Sequence, residues 1–137
     1  MKESIDLKWL GKMAFETEIN GHQVRVDAKE EVGGTNQGPR PKPLMMVALA
    51  GCTAMDVISI LNKMKVQVEE FHVKIEGDLT EEHPKYFTAM HIIYEFKGRD
   101  LPMDKLERAV QLSQESYCGV SASYRKAMKL THEIRIL

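Results

Sequence analysis

Thiols are scarce in this chain. Two cysteines, Cys52 and Cys118, stand 66 positions apart in 137 residues. With no Cys-x-x-Cys and no paired histidines at ligand spacing, no zinc signature is present. Net charge is scarce too: 19 Lys and Arg against 20 Asp and Glu leave −1. That excludes the basic footprint of a nucleic-acid binder and a polybasic membrane anchor. The apolar run that starts at Pro43 meets a charge at Asp56, after 13 residues, short of the ~20 that a membrane span needs. The opening MKESIDLKWL has no signal-peptide pattern, and neither repeats nor low-complexity segments interrupt the chain. The expectation is a single domain, 1–137, in the cytoplasm, where both thiols are kept reduced. Its length suffices to bury a core without disulfide or metal staples.

What is abundant is apolar helix. Residues 43–64, PLMMVALAGCTAMDVISILNKM, carry Leu, Met, Val, Ala and Ile on every side of a helical wheel. Such a helix is expected to be buried all round. At roughly 1.5 Å per residue it runs about 30 Å, more than one small sheet can cover. A second copy of the chain is the expected cover, which makes an obligate homodimer the expected assembly. Pro43 suits the first helical turn.

The flanking segments alternate as strands. Ile5, Leu7 and Trp9 share a face in residues 4–10. Met13, Phe15, Thr17 and Ile19 follow, then Asn20-Gly21, a strong hairpin signal, then Val24 and Val26. Residues 29–42 form a Gly- and Pro-rich loop. Residues 68–77 and 86–97 alternate as a second hairpin. An amphipathic helix is predicted over 103–116, with Met103, Leu106, Val110 and Tyr117 on one stripe. Cys118-Gly119 breaks it, a short helix covers Ser121 to Ala127, and residues 129–136 form a last strand. The order βββ-α-ββ-αα-β groups strands apart from helices and predicts an α+β fold.

Cys52 sits inside the central helix, where a free cysteine is ordinarily a small core hydrophobe. Gly51 beside it costs a helix about 1 kcal/mol relative to alanine, a feature expected where something approaches the backbone closely. Cys118 lies at a helix break, in Tyr-Cys-Gly-Val. Two thiols can run a reversible redox cycle, one forming a sulfenic acid and the other condensing with it to a disulfide. Asp56, one turn beyond Cys52 on the same face, would raise the thiol pKa, so a reactive Cys52 needs a nearby cation. Arg40, Lys42, Lys12 and Arg25 are the candidates. The five histidines, His22, His72, His83, His91 and His132, are expected at surfaces and edges.

Pro43-Leu44, then Ala48-Leu49-Ala50-Gly51-Cys52-Thr53, Asp56-Val57 and Ile60-Leu61 together resemble the first cysteine helix of the OsmC/Ohr family, the osmotically inducible and organic-hydroperoxide-resistance proteins. Ser113-Gln114-Glu115-Ser116-Tyr117-Cys118-Gly119-Val120-Ser121 is similar to the second cysteine motif, and Trp9 to Phe15 also fits. The likeness spans nearly the whole chain and is nearest the shorter OsmC-like branch. It implies an intertwined homodimer and a thiol peroxidase for organic hydroperoxides, with Cys52 peroxidatic and Cys118 resolving. It further implies no flavin or metal, a dithiol or lipoyl protein as reductant, and a pocket drawn from Met45, Met46, Met55 and Tyr117. The chain departs from the family pattern in having no acid between Glu31 and Asp56, so the usual glutamate–arginine network is not evident. The alternative is a non-catalytic binder or sensor of small apolar or electrophilic molecules.

Overall fold

The computed structural model describes residues 1–137, with six strands and three α-helices. The backbone forms two compact units, residues 1–45 and 46–137, and each is taken by itself.

The first unit is an antiparallel meander of β1 (Lys8–Gly11), β2 (Ala14–Ile19) and β3 (His22–Val26). The β2–β3 turn is the predicted Asn20-Gly21, with φ of 51° and 82°, the left-handed pair a two-residue hairpin requires. The first strand is shorter than the 4–10 expected. Only Lys8 to Gly11 find partners on β2, across a bulge after Trp9, and Ile5, Leu7 and Trp9 are exposed. The 29–42 loop is not loose. Asp27 Oδ1 accepts the Ala28 amide at 2.7 Å, and Oδ2 accepts the Thr35 hydroxyl at 2.8 Å and the Gln37 amide at 3.1 Å. The Asp27 amide donates to the Pro39 carbonyl.

The central helix, α1 (Pro41–Lys63), begins two residues before the expected Pro43. Pro41 takes the first position, where a missing N–H costs nothing. A left-handed Lys65 (φ 60°) ends it, and the Val66 amide returns to the Leu61 carbonyl at 2.9 Å, a Schellman-type closure. With 23 residues, and a mean hydropathy of 2.1 over its most apolar 18, α1 is long and apolar enough to cross a membrane by length and composition, which the run interrupted at Asp56 had argued against. The prediction of a helix buried on every side is corrected. Within one chain only Leu49, Thr53, Val57 and Leu61 are buried, an i, i+4 stripe. Val47 and Met55 are 63% and 73% exposed, because one chain supplies cover for one face.

The second unit holds a mixed sheet in the order β4–β5–β6, made of Glu70–Leu79, Phe87–Lys97 and Lys129–Ile136. β4 and β5 form the expected antiparallel pair, with Phe71 opposite Phe96 and their rings stacked at 4.6 Å. β6 runs parallel to β5, so β5 is central, and Ile92 to Phe96 are buried on both faces. α2 (Met103–Leu112) buries Leu106, Ala109 and Val110. It passes into a π turn over Ser113–Tyr117, and α3 (Gly119–Arg125) follows. The wider π turn shifts the helical phase. Ser113 and Gln114 are buried, while Tyr117, expected on the core stripe, is exposed, as is Met103. His91 departs from a plain surface role. It is part-buried, bonded to Thr131 Oγ1 at 2.7 Å and Glu133 Oε1 at 2.9 Å across the β5–β6 pair.

Candidate functional site

Two local features bring the thiols together. Cys52 and Asp56 are one turn apart on α1 and therefore share a face. Cys118 follows the π turn, its amide donating to the Ser113 carbonyl at 2.7 Å, with an extended backbone (φ −75°, ψ 100°). The result is a cluster in which Cys52 Sγ, Cys118 Sγ and a carboxylate oxygen of Asp56 all lie within 4.8 Å of one another. Both cysteines are free, Cys118 buried and Cys52 half-buried. A disulfide needs the sulfurs at about 2.05 Å, a closure that side-chain motion and a small backbone shift can supply.

The surroundings of Cys118 favour its protonated form. Burial pushes the thiol up from its ordinary pKa, and contact with Cys52 acts in the same direction. Ser121 opposes this: its amide donates to the Cys118 sulfur at 3.3 Å. The Ser121 hydroxyl is buried with no hydrogen bond of ordinary geometry, yet it lies near enough to the same sulfur to favour the thiolate.

Asp56 is the end of a buried hydroxyl chain whose direction can be deduced. Ser113 Oγ donates to Asp56 Oδ2 at 2.9 Å. Its single proton is then used, so Thr53 Oγ1, 2.7 Å away, donates to Ser113. Tyr94 OH, 2.7 Å from Thr53 Oγ1, must in turn donate to Thr53. Burial pushes the Tyr94 phenol up, which keeps that proton in place. Gln114 Nε2 donates to Tyr94 OH at 2.9 Å, and Arg125 donates to Gln114 Oε1 at 3.2 Å, fixing the amide's orientation. Every dipole in the chain points at the carboxylate.

The predicted pocket residues separate. Met55 and Tyr117 line a groove of about 560 Å³ with Asp56, Ile60, Lys63 and Leu112. The Met46 sulfur instead lies over Gly77 on β4, and Met45 belongs to the first unit. Neither this groove nor a larger cavity of about 610 Å³ between α2, α3 and β6 has a thiol in its lining; the groove reaches the cluster through Asp56. All four predicted thiol-activating cations are in the first unit. Arg25 is bonded to Glu16 and Gln37, and Arg40 to the Gly38 carbonyl and Asn36. Lys12 occupies the β1–β2 turn at φ 47°, and Lys42 the first turn of α1. Nothing approaches Gly51 within 4 Å of where a Cβ would stand, so the close contact expected there is not made within one chain. Sequence reading missed Thr53, Tyr94, Ser113, Gln114, Ser121 and Arg125. Thr53 and Ser113, polar residues on apolar helix faces, were the available signal.

A long helix bearing one thiol, a broken helix bearing the other, and two three-stranded sheets define a two-cysteine α+β protein of the OsmC/Ohr fold. The chain belongs to the OsmC-like protein family, whose profile matches residues 34–133. It is similar to Protein YhfA of Escherichia coli K12, 34% identical over 132 residues and 96% of each chain. Among solved structures it is similar to a hypothetical protein from Aquifex aeolicus, 25% identical with a TM-score of 0.85, over 100% of this chain and 97% of that one. The organic hydroperoxide resistance protein OhrB of Bacillus subtilis is similar at 12% identity and a TM-score of 0.65, over 97% and 98% of the two chains, a likeness of fold alone.

Proposed function

We propose that the chain is a thiol-dependent peroxidase that reduces organic hydroperoxides, and hydrogen peroxide as a smaller substrate, through a disulfide cycle. The observation that carries this reading is the mutual approach of Cys52 and Cys118 to within 4.8 Å. The Cys52 thiolate attacks the terminal peroxide oxygen. The O–O bond breaks, the alcohol leaves with a proton, and Cys52 becomes a sulfenic acid. The Cys118 sulfur then attacks the Cys52 sulfur and gives up its proton. Hydroxide leaves as water and the S–S bond closes. An external dithiol, small or lipoyl-borne, restores both thiols by exchange. A protonated, buried Cys118 fits the second role: it waits as a thiol while the half-buried Cys52 meets substrate. The apolar wall of the groove, Met55, Ile60 and Leu112, suits a hydroperoxide with a hydrocarbon tail.

The reading includes a homodimer in a reducing compartment such as the cytoplasm. The exposed apolar face of α1, with Val47, Met55 and Ile58, supports a second copy as its cover, and the cation that activates Cys52 is assigned to that assembly. The test is peroxide consumption in dithiothreitol by native protein and by Cys52→Ser. Native turnover with loss in the variant is expected; equal rates would remove the peroxidase reading. Cys118→Ser should still form one sulfenic acid per chain, detectable by dimedone, without forming the intrachain disulfide. A second reading, a non-catalytic binder of apolar or electrophilic molecules, is favoured by the apolar lining of the groove that Asp56 shares.

A further inference from the structure

We propose that the reduced site is also a binding site for one thiophilic divalent cation of the zinc class, held by Cys52 Sγ, Cys118 Sγ and a carboxylate oxygen of Asp56. The three ligand atoms come from a single chain and already lie within 4.8 Å of one another. Around tetrahedral zinc, with sulfur at about 2.3 Å and oxygen at about 2.0–2.2 Å, ligand atoms stand about 3.5–3.8 Å apart. The site therefore has to contract by no more than about 1 Å, whereas a disulfide needs its sulfurs at about 2.05 Å. The donor set, two soft sulfurs and one carboxylate, suits zinc or cadmium and disfavours magnesium or calcium, which take oxygen.

The supporting shell is built in the way metal ligands require. Ser113 Oγ holds the Asp56 carboxylate at 2.9 Å, backed by Thr53, Tyr94 and Gln114. The Ser121 amide donates to the Cys118 sulfur, and the buried Ser121 hydroxyl beside it has no other use. Asp56 also lines the open groove, the side from which an ion, and a water as fourth ligand, would reach the cluster. On binding, each thiol releases its proton to solvent as a metal–sulfur bond forms. No electron moves, and the dipositive ion meets three anionic ligands. A cation on both sulfurs leaves neither free to attack peroxide or to close a disulfide, so metal and disulfide exclude each other. The reduced dithiol is thereby protected from oxidation until the cation is withdrawn.

The inference goes beyond the peroxidase reading, and its experiment uses no peroxide, so either can fail alone. The reduced full-length protein, freed of small thiols, is titrated with Cd²⁺ and followed by the ultraviolet thiolate-to-cadmium charge-transfer band. We expect saturation at one ion per chain, competition by Zn²⁺, and loss of the band after diamide oxidation. Cys52→Ser and Cys118→Ser should each lower the band and weaken binding. Asp56→Asn should weaken binding about tenfold or more while keeping the band. A companion measurement needs no variant: Zn²⁺ should slow iodoacetamide labelling of both cysteines in the native chain. Absence of a saturable band, unchanged affinity in Cys118→Ser or Asp56→Asn, or labelling unaffected by Zn²⁺ would overturn the site.

Discussion

Thr53 illustrates how one side chain ties the second unit together. Its hydroxyl meets Tyr94, Ser113 and Gln114, all buried. Replacing it by the isosteric Val leaves the buried Tyr94 O–H without its acceptor, while Ser113 keeps Asp56 and Gln114 keeps Tyr94. A buried polar group left unpaired costs about 1–3 kcal/mol, so Thr53→Val and Tyr94→Phe should each destabilise by about that amount in urea unfolding. Because the two hydroxyls are bonded to each other, the double variant should lose less than the sum, with a coupling of about 1 kcal/mol. Asp27 gives a second prediction at this scale. Backbone hydrogen bonding by Gln37 holds its pKa down at about 2 against an ordinary 3.8, with burial opposing and Ala28 and Thr35 assisting. The folded state therefore binds this proton more weakly than the unfolded one. The stabilisation is fully present above pH 3.8 and is lost as pH falls through about 2. Denaturant midpoints across that window should fall in the native protein, and Asp27→Asn should remove Asp27's part of the fall.

Helix α1 and the π turn mark how far local residue pattern specifies an element. The break at Cys118-Gly119 was legible from its residues. The phase shift before it was not: at 3.6 residues per turn Tyr117 falls on the stripe of Leu106, and one i→i+5 turn moves it to solvent. Gly51 makes the element-scale prediction. Glycine in a helix open to solvent is improved by alanine by about 1 kcal/mol. If α1 packs closely on a second copy, the added methyl instead disturbs that contact. The dimer reading predicts that Gly51→Ala raises the dimer dissociation constant in sedimentation while far-ultraviolet dichroism shows no loss of helix.

For the whole molecule, the unanswered demand is the exposed apolar flank of α1. Its exposed apolar side chains, Val47, Met55 and Ile58, are where the dimer reading places the second copy. The native protein should sediment at twice the chain mass of 15.6 kDa, and the paired change Val47→Asp with Met55→Asp should shift it toward one chain. A native monomer at micromolar concentration would contradict the dimer.

Periodicity and punctuation by themselves determined the element order, the Asn20-Gly21 hairpin, the central helix and the two cysteine positions, since these depend on neighbours a few residues apart. The family likeness was legible for the same reason, being carried by contiguous motifs. Only the tertiary structure decided that Cys52, Asp56 and Cys118 converge, that β6 pairs parallel with β5, and that a hydroxyl chain from Tyr94 ends on Asp56. Those facts depend on contacts between residues 40 to 66 positions apart, such as His91 with Thr131 and Cys52 with Cys118, and on a single π turn whose phase no local pattern announces. A charge that in sequence opposed a reactive thiol became, once the chain folded, the third member of its site.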